Sequence, residues 1–195
     1  MTVDAQLNFI LELEKLKGVI RQTILLTGER QENTAEHSWH IAMAALTLAP
    51  FADKPIDTFR VVKMLLIHDI IEIDAGDTFA FDLVGYEDKF EREKAAADRI
   101  FGLLPDEQQD EFKTLWLEFE MVETDDAEFA NAIDRLLPFL QNVYTEGQSS
   151  WMRHGISVDQ VIKRNEITSR VSKELWATMQ KLIERSAEQG WLKAE

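Results

Sequence analysis

The segment Met64–Asp77, MLLIHDIIEIDAGD, sets His68, Asp69 and Glu72 inside an otherwise apolar run. An ionised carboxylate in such a setting is costly unless it is paired, hydrogen-bonded or bound to a metal. On a helix, His68 and Glu72 are four residues apart and Asp69 and Glu72 three, so the polar groups share one broad face. His68 and Asp69 are adjacent and diverge by about 100° around the axis. One ion can lie between them only if other helices supply opposing ligands. Two more polar residues sit in apolar helical contexts: His37 in ENTAEHSWHIAMAA and Asp134 in NAIDRLLPFL.

Two imidazoles and two carboxylates make a mixed N/O site for a divalent transition metal. Water bound by such an ion becomes a better nucleophile. Glu72, one turn from His68 and Asp69, is placed to orient or deprotonate it. Asp77 follows Gly76 and can reach the same pocket. A lone His-Asp pair is more often structural, since a core histidine satisfied by a carbonyl is common. The joint pattern of His37, then His68-Asp69 with Glu72 and Asp77, then Asp134, favours a metal centre.

These residues must be positioned by helices. Leu7, Ile10, Leu11, Leu16 and Ile20 predict a first helix ending near Gly28. Asn33 or Thr34 caps a second that runs to Pro50, and Asp57 caps a third that stops at Gly76. A loop around FAFDLVG follows. A fourth helix is expected from Tyr86 to Leu104, with Asp88/Arg92 and Lys89/Glu93 as exposed pairs. Pro105 opens a fifth at its first position, buried through Phe112, Leu115, Trp116 and Phe119. Asp125 and Glu128 resemble a capping box for a sixth, whose core face is Phe129, Ile133, Leu136 and Leu140. Ser157 and Gln160 repeat that pattern before helical sequence to about Gly190. No alternating strand pattern stands out, so the expected fold is all-α.

Composition bounds the reading. The chain has 195 residues with 45% hydrophobic content, 36 acidic against 21 basic residues and a net charge of -15. One domain over residues 1–195 is expected, with a core over about 16–165 and C-terminal helices packed on it. The charge argues against a general nucleic-acid-binding surface. An anionic substrate would need a metal or a placed arginine. Without cysteine there are no disulfides or thiolate ligands. No apolar run reaches the roughly 18 residues that span a bilayer, and a cytoplasmic protein without membrane partners is the expectation.

From about Leu16 to Asn165 the chain resembles the HD-domain metal-dependent phosphohydrolases. Within them it resembles the small branch containing bacterial 5'-deoxynucleotidases and their eukaryotic relatives. Glu36-His37-Ser38, the block His68–Asp77 and Asp134 carry the resemblance. It implies an HD-type helical bundle with the metal site between central helices. It also implies His37, His68, Asp69 and Asp134 as ligands of one divalent metal (manganese, cobalt, zinc, iron or nickel rather than magnesium). Glu72 and Asp77 would be catalytic carboxylates, and Arg21 falls where the branch has an arginine that grips the substrate phosphate. Where that arginine is normally followed closely by tryptophan, this chain reads Arg21-Gln22-Thr23. No histidine lies between Asp69 and Asp134, which favours a mononuclear site. His40 is expected to pack or support the site from behind, and His154 to lie at a surface or interface. Glu36 is expected to pair with Arg21 or Arg30.

The resemblance implies a homodimer that hydrolyses a small phosphate monoester, a (deoxy)nucleoside 5'-monophosphate, by attack of a metal-bound water. Two alternatives stand beside it: hydrolysis of a nucleoside triphosphate or non-nucleotide phosphate, and a catalytically silent, metal-stabilised interaction module.

Overall fold

A computed structural model describes residues 3–82 and 87–194. The fold is an all-α bundle apart from one small hairpin. The elements are α1 (Asp4–Leu13), β1 (Ile20–Ile24), β2 (Gln31–Asn33), α2 (Thr34–Leu48), α3 (Thr58–Ile67), α4 (Glu72–Ala75), α5 (Lys89–Phe101), α6 (Asp106–Met121), α7 (Asp125–Tyr144), α8 (Trp151–His154), α9 (Val158–Asn165), α10 (Thr168–Val171) and α11 (Lys173–Glu188).

The hairpin is the main departure from expectation. The first helix ends at Leu13, a 3₁₀ segment covers Glu14–Gly18, and β1 pairs antiparallel with β2. The cause is local: Val19, Ile20, Thr23 and Ile24 are β-branched and suit extended backbone. Gly28 takes φ 74° in the connecting turn, a conformation with little penalty only for glycine. The apparent i,i+4 continuation from Leu16 to Ile20 was therefore misleading.

Helix α2 begins as expected. Asn33 accepts from the Glu36 N–H, and the Glu36 side chain returns to the Asn33 N–H, closing a capping box. Glu36 also takes a two-pronged contact from Arg30, at 2.8 and 2.5 Å, which decides its partner. Asp57 caps α3 by accepting from the Phe59 and Arg60 N–H groups. Val61, Met64 and Leu65 of α3 are fully buried. The helical path then tightens into a 3₁₀ turn over His68–Ile71 before α4 and Gly76.

Helix α7 lies against both α2 and α3 and buries Phe129, Ile133 and Leu136. Its cap is Thr124, whose hydroxyl accepts from the Ala127 N–H, one residue earlier than expected. The helix continues through Pro138 to Tyr144, and Leu140 is only partly buried. The start expected at Tyr86 for the fourth helix, like part of the FAFDLVG loop, lies outside the described residues. Asp88 pairs with Arg92 at 2.8 Å and Lys89 with Glu93 at 3.0 Å, but Glu93 is buried rather than exposed. Pro105 precedes α6 instead of opening it. The Ser157/Gln160 capping box of α9 forms, and α10 packs on α7 while α11 packs on α9. No helix among the described residues is long and apolar enough to cross a membrane.

Candidate metal centre

His37 on α2, the His68-Asp69 turn after α3 and Asp134 on α7 meet where these three helical segments pack. His37 Nε2 donates to Asp134 Oδ1 at 2.9 Å and lies 4.0 Å from Asp69 Oδ2. His68 Nε2 lies 3.0 Å from Asp69 Oδ1 and 3.6 Å from Asp134 Oδ1. Donor atoms of His37, His68 and Asp69 all fall within 4.8 Å of one another. The His68 ring is aimed by its other nitrogen, and a carboxylate stands behind that of His37. His68 Nδ1 donates to the Leu65 carbonyl at 3.0 Å, and His37 Nδ1 lies 3.5 Å from Glu32 Oε2. That arrangement, a histidine backed by a carbonyl or carboxylate, is how ligating imidazoles are oriented.

The chemistry of these groups fits a divalent cation. His68 Nε2 is buried without a hydrogen-bond partner, because its contacts with Asp69 and Asp134 are close but not aligned along an N–H. A cation among the nitrogen and carboxylate oxygens would satisfy all of them. Burial tends to discharge both imidazoles, yet the nearby carboxylates of Asp69, Asp134 and Glu32 more than offset it and raise both pKa values. Burial would likewise raise Asp69 and Asp134, but Arg21 and the imidazoles hold Asp69 below the carboxylate range and the imidazoles hold Asp134 there. Protons on the rings occupy the place of positive charge that a metal ion would fill.

Glu72 and Asp77 stand at the edge of this cluster. Burial, then the charge of Asp69, pushes Glu72 well above the carboxylate range despite Arg21. Burial also raises Asp77, again against Arg21. The hydroxyl of Thr34 donates to Glu72 Oε2 at 2.8 Å. Arg21, on β1, reaches the centre from the hairpin that helical periodicity did not reveal. Its Nη1 donates to Asp69 Oδ2 at 2.9 Å and lies 3.5 Å from Asp77 and 3.8 Å from Glu72. Three carboxylates thus share one guanidinium. A polar cavity of about 200 Å³ adjoins them, lined by His68, Asp69, Glu72, Asp77 and Asp134 among others.

Two groups near the centre were not anticipated. Glu32 is buried behind His37 and accepts from the Thr23 hydroxyl at 3.2 Å; only a strand reading of Gln31–Asn33 would have turned it inward. Thr34 is the other: Asn33 caps α2, which leaves the Thr34 hydroxyl for Glu72. His40, by contrast, is exposed beside Trp39 and does not support the site. His154 is exposed, with its ring 4.4 Å from that of Phe79.

Two histidines and two aspartates from three helical segments meet at one point, an arrangement that fits a metal-binding hydrolase, and comparison with known proteins agrees. Residues 13–176 match the family model described as HD domain. A 5'-deoxynucleotidase HDDC2 of Danio rerio is 31% identical over 140 residues, covering 71% of this chain and 68% of its own. Its Xenopus laevis counterpart is 29% identical over 137 residues, covering 68% and 67%. A crystal structure described as a predicted metal-dependent phosphohydrolase from Magnetospirillum magnetotacticum superposes with a TM-score of 0.92. It is 49% identical and covers 96% of this chain and 94% of its own. The chain belongs to the HD-domain family of metal-dependent phosphohydrolases.

Proposed function

We propose that the protein hydrolyses a phosphate monoester, a (deoxy)nucleoside 5'-monophosphate, with His37, His68, Asp69 and Asp134 holding one divalent transition metal. The observation that carries this is the buried, unpartnered His68 Nε2 facing the carboxylates of Asp69 on its own turn and Asp134 on α7. Paired imidazole and carboxylate donors suit manganese, cobalt, zinc, iron or nickel; magnesium prefers oxygen ligands. When bound, such a cation polarises a phosphoryl oxygen and lowers the pKa of water.

The chain's own residues move the protons. Glu72, held by the Thr34 hydroxyl at 2.8 Å, takes one from the attacking water. A bond forms from that water oxygen to phosphorus, and the bond from phosphorus to the 5' oxygen breaks. Asp77, which lines both the polar cavity and the cleft adjoining it, delivers a proton to the departing sugar oxygen, leaving a nucleoside and inorganic phosphate. Arg21 offsets the charge gathered beside the phosphate. The relatives named 5'-deoxynucleotidase support a nucleotide as substrate.

Nucleoside monophosphates are cytoplasmic metabolites, and a cytoplasmic location goes with this reading. A homodimer is supported by exposed Trp39, Met43 and Leu46, which recur at helical spacing on the outer side of α2. The test is release of inorganic phosphate from dAMP by chelator-treated protein after manganese or cobalt is added. Metal-dependent release is expected across a panel of monophosphates. Inactivity on every monophosphate, with turnover of triphosphates, would defeat the proposal.

A further inference from the structure

The polar cavity beside the metal centre opens toward a second cleft whose walls include Phe79, Phe81, Phe139 and Trp151. The residues common to both include Arg21, Asp77, Asp134, Arg135 and Arg164. If phosphate chemistry occurs at the histidine–aspartate cluster and the rest of the substrate lies in the aromatic cleft, the phosphate must pass this junction. Three guanidinium groups stand there, and they are not equivalent.

Arg21 already faces Asp69, Glu72 and Asp77, at 2.9, 3.8 and 3.5 Å. An incoming phosphate dianion must compete with three carboxylates for it. Arg135 is tied by Nη2 to Asn131 Oδ1 at 3.2 Å and by Nη1 to the Arg164 carbonyl at 3.0 Å. The second bond fixes the last turn of α9, from which the Arg164 side chain extends. Arg164 itself is half-buried, and among the described residues no hydrogen bond or ion pair engages its guanidinium. In a chain of net charge -15, this arginine beside a cluster of acids has no carboxylate partner among the described residues.

We infer that Arg164 is a phosphate-binding residue of the hydrolytic site, gripping the substrate's phosphoryl oxygens in addition to Arg21. Guanidinium binds phosphate through paired N–H donors in a planar fork, which an ammonium cannot reproduce. This inference rests on the phosphohydrolase reading above, and its test separates the two. Binding of inorganic phosphate to the manganese-loaded protein is measured by calorimetry, alongside KM and kcat for dAMP, in wild type, Arg164→Ala and Arg164→Lys. Arg164→Ala is expected to weaken phosphate binding and raise KM about tenfold or more, as loss of a charged hydrogen bond does. Arg164→Lys should recover only part of the loss, while manganese affinity and thermal melting stay unchanged in both.

Phosphate affinity within twofold of wild type in a folded Arg164→Ala protein would overturn the inference. So would full recovery by lysine of both phosphate affinity and KM, since a simple charge would then suffice. If the wild type hydrolyses no nucleotide, the proposed function fails, and the phosphate-binding comparison still decides the role of Arg164.

Discussion

The hydroxyl of Thr34, the first residue of α2, donates to Glu72 Oε2 at 2.8 Å, with both side chains buried. The helix start that carries the Asn33–Glu36 capping box therefore also aims the carboxylate assigned to proton transfer. Thr34→Val keeps the shape and removes the donor. It is predicted to lower kcat up to about tenfold, the effect of losing one buried hydrogen bond. Metal content by atomic emission should be unchanged; unchanged kcat would show that Glu72 is held by other contacts.

Glu72→Ala should go further. Loss of a general base typically removes a factor of roughly 10² to 10⁴ in rate. Single-turnover phosphate release with manganese present measures it. Because Glu72 is assigned to the water and not to the ion, manganese affinity should survive. A folded variant with near-normal turnover would reassign the proton acceptor, with Asp77 next.

Arg21→Ala is predicted to act on stability as well as on activity. Removing the guanidinium leaves Glu72 and Asp77 without their cationic partner and Asp69 with the imidazoles alone. Breaking a buried charge pair by deleting one partner typically costs about 3–5 kcal/mol. The metal-free variant should melt well below metal-free wild type, and bound manganese should narrow the gap by restoring positive charge. Equal melting losses with and without manganese would contradict this.

Metal affinity should rise with pH. His37 and His68 must be neutral to ligate, and the carboxylates around them raise both pKa values above that of an ordinary imidazole. Protons therefore compete with metal even somewhat above the usual imidazole range of about 6.5. With two such rings, binding should release up to two protons and weaken by up to about a hundredfold per pH unit below their pKa values. Calorimetry in buffers of different ionisation enthalpy counts the protons. Affinity independent of pH across that range would mean that the rings are already neutral in the metal-free protein.

How much of this was legible beforehand differs from residue to residue. The Met64–Asp77 segment could belong only to an interior, and that cost alone singled out His68, Asp69 and Glu72. The same reasoning reached His37 and Asp134, because a charged or imidazole group within an apolar helical stripe needs a partner wherever the chain goes. Helix starts at Asn33 and Asp57 were readable because a cap is satisfied within three residues. Tertiary structure decided what such short-range rules cannot reach. The β1–β2 hairpin formed where β-branched residues outweighed an apparent helical repeat, and it alone brings Arg21 to three carboxylates. Glu32 behind His37, Thr34 on Glu72, the burial of Glu93 and the placement of Arg164 where the two clefts meet depend on where separate segments cross. Residue type determines that a buried charge must be compensated, whereas the partner is set by distances between chain segments that only packing defines.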